Sequence, residues 1–189
     1  YLDTLKNNKI KIKESFKLNS LNTLASTGSP LVNESFEYVY QNIKSDIHLE
    51  SISGGTDLVS CFVTGNPLMD VYSGEIQCKA LGMDVDVFDE KGNSIENQKG
   101  ELVCKSSFPS MPLYFWNDHD NKKYFNSYFS KYKNIWYHGD YIEKTINGGY
   151  VIYGRSDATL NSGGVRIGTA EIYRVIENIT EVQEAVAVE

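Results

Sequence analysis

The chain has 189 residues, 41% of them apolar and 23% charged, with a formal net charge of −7. That is a globular composition rather than a disordered one, and it fits one domain or one domain plus part of another. The acidity disfavours a nucleic-acid partner, and the apolar runs fall far short of the ~20 residues that cross a bilayer, so no membrane span is expected.

Residues 1–22 are Lys/Asn-rich and read as a helix end followed by a surface loop, with no apolar segment that would make a signal peptide. Residues 21–26 read as a strand that stops at the turn Thr27-Gly28-Ser29-Pro30. Asn33 is placed to cap a helix whose Phe36, Val39, Tyr40 and Ile43 lie on one face. A second strand at 48–51 breaks at Ser53-Gly54-Gly55-Thr56-Asp57. Strand, loop, helix, strand, loop is a βαβ unit of a parallel sheet, and both polar loops then leave the same edge, where ligands of such sheets bind.

From about residue 71 the pattern changes to short β-rich runs at 75–81, 85–89, 100–105, 135–145 and 150–153, with hairpin-type turns at 89–92 and 147–149. These read as a small antiparallel, barrel-like sheet. A helix is expected at 118–131, its Tyr124, Phe125, Tyr128 and Phe129 serving as packing residues rather than a stacking platform. Residues 155–168 read as a linker or hinge, followed by a helix capped by Thr169 with Ile172, Val175, Ile176 and Ile179 on one face. The run Val186-Ala187-Val188 reads as a strand beginning, and the chain reads as a segment of a longer protein.

Cys61, Cys78 and Cys104 are scattered, with no CxxC pair, and fit free thiols in a reducing, cytoplasmic compartment. His48, His119 and His138 have no metal-ligand spacing, so no transition-metal site is expected. Of the 18 basic residues only Arg155, Arg166 and Arg174 are arginines, and all fall in one glycine-rich stretch. Arg155 and Arg166 sit among glycines, where a planar fork suits phosphate; Arg174 reads as a solvated surface residue. In Gly54-Gly55-Thr56-Asp57 the glycines permit close approach of a ligand. Thr56 can donate to a phosphoryl oxygen, and Asp57 suits Mg2+; a turn before a helix capped by Asp57 fits the same residues. Asp140, after Gly139 within a strand-like run, can accept both hydroxyls of a ribose or mark a strand-end turn.

The order Thr-Gly-Ser-Pro, Gly-Gly-Thr-Asp, His-Gly-Asp and Gly-Arg-Ser-Asp-Ala-Thr-Leu-Asn-Ser-Gly-Gly-Val-Arg-Ile-Gly resembles the adenylate-forming acyl-CoA synthetase superfamily, over roughly residues 20–189. Further wording at 53–58, 74–83 and 109–118 is similar to one short-acyl member. The resemblance implies an AMP-forming acid–thiol ligase that uses ATP, Mg2+ and CoA through an acyl-adenylate. It implies that Gly28, Ser29 and Pro30 pack against adenine, and that Gly54, Gly55 and Thr56 line the nucleotide and acyl site. Asp57, where the family usually has Glu, would hold Mg2+. Asp140 would hold the ribose, Arg155 the ribose and phosphates, and Arg166 the phosphates from the small domain. Asp157 would be the hinge, and Gly163 would approach CoA. Acetate-specific relatives place bulky aromatics where Ser53, Gly54 and Gly55 stand, so a longer acid such as acetoacetate is expected here.

The expected architecture is therefore mixed α/β. Residues 1–156 form the later part of the large AMP-binding domain (1–70 from its α/β sheet, 71–156 its β-rich part), and 157–189 form the hinge and start of a small α+β domain. The family's phosphate loop and the small domain's catalytic Lys are not in this sequence and would come from the rest of the chain. These 189 residues alone are expected to be inactive.

Overall fold

Two short helices open the chain, α1 (Leu2–Asn7), anchored by buried Leu5, and α2 (Ile12–Ser15). The computed structural model describes residues 1–162, 165–176, 179, 181, 182 and 185–187, with backbone alone at 161, 162, 165 and 166. β1 (Thr23–Ser26) lies parallel to β2 (His48–Ser51), in register from Thr23↔His48 to Ser26↔Ser51. A parallel pair needs a crossover. It is supplied by α3 (Asn33–Tyr38), which widens into a π-turn over Val39–Ile43. Phe36, Val39 and Ile43 bury with Leu5, Leu31, Ile47 and Leu49 in one cluster, and full burial of each such side chain contributes ~1.5–3 kcal/mol. The βαβ unit is present, but its cap differs from expectation. Asn33 is the first helical residue and Val32 stands at the cap, with no side-chain cap bond.

Beyond β2 the pairing becomes antiparallel. β3 (Ser53–Gly55), β4 (Ser60–Thr64) and β5 (Cys78–Lys79) form one sheet. β6 (Val85–Phe88), β7 (Lys99–Cys104), β8 (Trp136–Lys144) and β9 (Tyr150–Arg155) form a four-stranded sheet in that order. The run expected at 75–81 shrinks to β5, and a bridge from Ile76 to Tyr150 ties the two sheets together. Phe62, Val63, Val85, Leu102, Trp136 and Ile142 share the main core. Among the described residues the sheets do not close on themselves, so the β-rich part is a pair of packed sheets and not a barrel.

α4 (Lys122–Tyr128), between β7 and β8, is shorter than the helix read at 118–131. Asp118 is the reason: its carboxylate accepts the N–H groups of Lys123 (3.1 Å) and Tyr124 (2.8 Å), so it ends the incoming loop rather than joining the helix. Tyr124, Tyr128 and Phe129 pack against the core as read, while Phe125 faces solvent.

After β9 comes a 3-10 turn (Ser156–Ala158), then the hairpin of β10 (Leu160–Ser162) and β11 (Val165–Ile167), then α5 (Thr169–Ile176). The presumed linker thus carries a hairpin of its own. Thr169 is the first helical residue rather than the cap; Glu171 closes the turn by accepting the Gly168 N–H at 2.9 Å. Arg174 is not a solvated surface residue: it donates to the Ile152 carbonyl at 3.3 Å and lies over the Tyr153 ring, 5.5 Å from its centroid. The Tyr153 ring on the edge strand β9, over which Lys99 Nζ also lies at 4.3 Å, draws the cation onto the sheet. Residues 185–187 belong to no strand, and Val188 lies outside the described residues.

Candidate functional site

The ends of β1 and β2 meet the β3–β4 turn, β8 and β9 around one open cavity of about 1060 Å3. Gly28, Ser29, Pro30, Gly54, Gly55, Thr56, Asp57, Asp140 and Arg155 all line it. The parallel register brings the two polar loops to one edge. The β8–β9 register sets Asp140 directly opposite Arg155, so two motifs distant in sequence become neighbours.

Asp140 is buried, and its carboxylate is partly engaged. Arg155 Nη1 donates to Oδ1 at 3.1 Å and to the His138 carbonyl at 2.9 Å, while the Ser53 hydroxyl donates to Oδ2 at 3.4 Å. Arg155 Nε also lies 3.5 Å from Asp157, so one guanidinium links the carboxylate in the sheet to the turn that follows it. Gly139 makes this possible. Its φ is +81°, and a Cβ there would sit 2.6 Å from Arg155 Nη2. Gly139→Ala is expected to cost ~1–3 kcal/mol in stability and to push the guanidinium off Asp140, read as a lower thermal midpoint.

The two glycines of the β3–β4 turn do different work. A Cβ on Gly54 would meet Ser60 O at 2.2 Å and Cys61 Cα at 2.4 Å, so Gly54 lets β4 approach and its missing side chain adds no room to the cavity. A Cβ on Gly55 would meet Asp57 Oδ1 at 2.1 Å and His138 Cε1 at 3.1 Å, both cavity residues. Gly55 therefore leaves room for the Asp57 carboxylate and the His138 ring at the cavity wall. No helix follows Asp57; the chain returns as β4 through Val59 at φ +50°, a strained setting for a β-branched residue.

His138, Ser53, Tyr128 and Tyr137 also line the cavity. His138 opens the His-Gly-Asp motif, and sequence spacing gives it no metal-ligand role. It is packed edge-on to Phe62 (centroids 4.7 Å), 3.4 Å from the Gly54 carbonyl, and burial lowers its pKa against the opposing pull of Asp140 and Asp57. The aromatic pattern marks Tyr128 only as a packing residue, yet its hydroxyl donates to Asp57 Oδ2. Burial, then the Asp57 contact, raises its phenol above the ordinary tyrosine range, so it stays protonated as a donor. No sequence spacing announces that pair.

Asp157 lies in the 3-10 turn beside the cavity-lining Arg155. Arg166 pairs through its backbone with Asn161, and its side chain is outside the description. Gly163 lies outside the described residues. Among the described residues no group of three or more His, Cys, Asp or Glu could cage a metal. Asp57 offers one carboxylate beside the Thr56 hydroxyl. That donor set fits only an ion that draws its other ligands from phosphates and water, as Mg2+ does.

No protein-family model matches the chain. A parallel βαβ end joined to two antiparallel sheets is also the fold of an anthranilate CoA ligase solved with anthranoyl-AMP, which aligns with TM-score 0.76 over 97% of this chain at 19% identity. The chain therefore shares the fold of that ligase over the aligned residues. In sequence it is homologous to acetoacetyl-CoA synthetases. It is 54% identical over 188 residues to that of Rhizobium meliloti and 47% identical over 189 residues to that of Mus musculus. The acetoacetyl-CoA synthetase structure from Streptomyces lividans aligns with TM-score 0.89 and 38% identity over 97% of this chain. The chain spans 29%, 28% and 29% of the lengths of these three proteins.

Proposed function

We propose that the chain is the nucleotide- and acyl-binding portion of an AMP-forming acetoacetate–CoA ligase. The observation that carries this reading is the single cavity shared by the 27–30 turn, the 53–57 turn, Asp140 and Arg155. The substrate assignment leans on the acetoacetyl-CoA synthetases to which the chain is similar. In the first step an acetoacetate carboxylate oxygen attacks the α-phosphorus of ATP in line, and pyrophosphate leaves. In the second the CoA thiol attacks the acyl carbonyl and AMP leaves.

The residues present position reactants and offset charge. Asp140 accepts the ribose hydroxyls, and the Gly28-Ser29-Pro30 loop packs on adenine. The Thr56 hydroxyl donates to a phosphoryl oxygen, and the outer edge of Arg155 faces the phosphates. Asp57 would hold Mg2+ through its open oxygen; when bound, the ion offsets phosphate charge. The cavity beside the 53–57 turn receives the acyl group. Asp157 serves as the hinge between residues 1–156 and the small domain, which brings Arg166 to the phosphates and Gly163 toward CoA. The phosphate loop and the catalytic Lys are contributed by the rest of the chain. Free cysteines suit a reducing, cytoplasmic setting.

The test is pyrophosphate release by the full-length protein with acetoacetate, acetate or butyrate. Acetoacetate is expected to give a kcat/KM about tenfold or more above acetate, within what shape discrimination in a small pocket supplies. The isolated 189 residues are expected to release none. Equal rates on the three acids would remove the substrate assignment, and no stimulation by any acid would remove the ligase assignment.

A further inference from the structure

We propose that Tyr128 is a positioning residue for Asp57, holding its carboxylate so that one oxygen is presented to the cavity as the metal-binding atom. The inference rests on the nucleotide-ligase reading above and names a residue of that site which no motif contains.

Asp57 sits on an exposed turn, where an aspartate side chain would ordinarily exchange rotamers. Here one of its oxygens is held and the other has room beside a glycine. The Tyr128 hydroxyl donates to Oδ2, and Oδ1 occupies the space vacated by the missing side chain of Gly55, 2.1 Å from where a Cβ would lie. Tyr128 is itself immobilised. Its ring stacks on Trp136 with centroids 3.6 Å apart and planes 12° apart, and it meets Tyr124 and Phe115 edge-on at 5.6 and 5.7 Å. Trp136 is 1% exposed, so the phenol is built on the core and reaches out to the turn. A metal supported by a single carboxylate depends on where that carboxylate points, since its other ligands come from substrate and water. Tyr128 supplies the fixed point.

The experiment compares the full-length protein with Tyr128→Phe, which keeps the ring stack and removes only the hydroxyl. ATP affinity is titrated calorimetrically in EDTA and across a Mg2+ series. Tyr128→Phe is expected to need about tenfold more Mg2+ to reach tight binding, the order set by one hydrogen bond to a charged group, with affinity in EDTA unchanged. Asp57→Asn is expected to show a comparable shift, and adding Tyr128→Phe to it to shift nothing more. Equal losses with and without Mg2+, or additive effects in the double variant, would overturn the positioning role. A wild-type protein that binds ATP in neither condition would overturn the nucleotide reading, and this inference with it. One that binds ATP with a Mg2+ dependence indifferent to Tyr128 would overturn the inference alone.

Discussion

Asp140→Ala in the full-length protein is expected to weaken ATP binding at least 100-fold, and the adenylation rate at fixed ATP with it. The carboxylate stands in the middle of β8, 7% exposed, with Arg155 on Oδ1 and Ser53 on Oδ2. Two carboxylate oxygens offer about four acceptor positions, which leaves room for two ribose hydroxyls. Each hydrogen bond to a charged group contributes ~1.5–3 kcal/mol, so the pair accounts for about 3 kcal/mol or more, over a hundredfold in affinity. The alanine also removes the partner of Arg155, but that side chain is 51% exposed, and water replaces most of the lost attraction at a cost of about 0–1 kcal/mol. The proposed ribose contacts are therefore expected to dominate. Comparing ATP with 2′-deoxy-ATP separates the two terms. The wild type is expected to lose roughly tenfold or more on the deoxy nucleotide, and Asp140→Ala to lose almost nothing further. Equal losses in both proteins would mean that Asp140 does not hold the ribose.

Those parts of the site carried by glycine-punctuated strand ends were legible in the sequence. Thr27-Gly28-Ser29-Pro30 and Ser53-Gly54-Gly55-Thr56-Asp57 follow strands separated by a helix of i, i+3, i+4, i+7 spacing, and right-handed parallel connection leaves one edge for both loops. The Asp140–Arg155 pair was legible as two motifs but not as a contact, because antiparallel register depends on the turn at 147–149 and on the bulge between Tyr141 and Ile142. The Tyr128–Asp57 bond was not legible. It depends on how α4 seats on Trp136, and the aromatic pattern that seats it looks like core packing, which it also is. Gly54 shows the opposite error: a missing side chain suggested added pocket volume, whereas it answers a backbone approach from β4. Boundaries failed where a side chain competes locally with the helix, as at Asp118, or where the end residue already has helical geometry, as at Asn33 and Thr169.

Lys131→Met is expected to loosen the sheet next to the proposed hinge by about 2–3 kcal/mol, more than Glu101→Gln does. Glu101, on β7, is 1% exposed, and it takes Lys131 Nζ at 2.7 Å and the Ser156 hydroxyl. Removing one partner of a buried ion pair costs ~3–5 kcal/mol because the other charge stays buried. The figure is reduced here because the Lys131 side chain is 34% exposed, so the pair is partly screened already. The methionine also gives up the cation over the Tyr137 ring, 4.6 Å from its centroid, worth roughly 0.5–1 kcal/mol at such a site. Glu101→Gln leaves an acceptor for Ser156 and lets the lysine turn to water. The asymmetry follows from which group is enclosed by protein: the carboxylate is, the ammonium is not. Ser156 immediately precedes Asp157, so Glu101 holds the near side of the proposed pivot. Amide exchange of β7, β8 and the 156–159 turn in the full-length protein reads this directly. Protection is expected to fall about 30- to 150-fold in Lys131→Met and by less in Glu101→Gln. Equal losses would show that the hydrogen-bond count, and not the balance of charge, secures this side of the hinge.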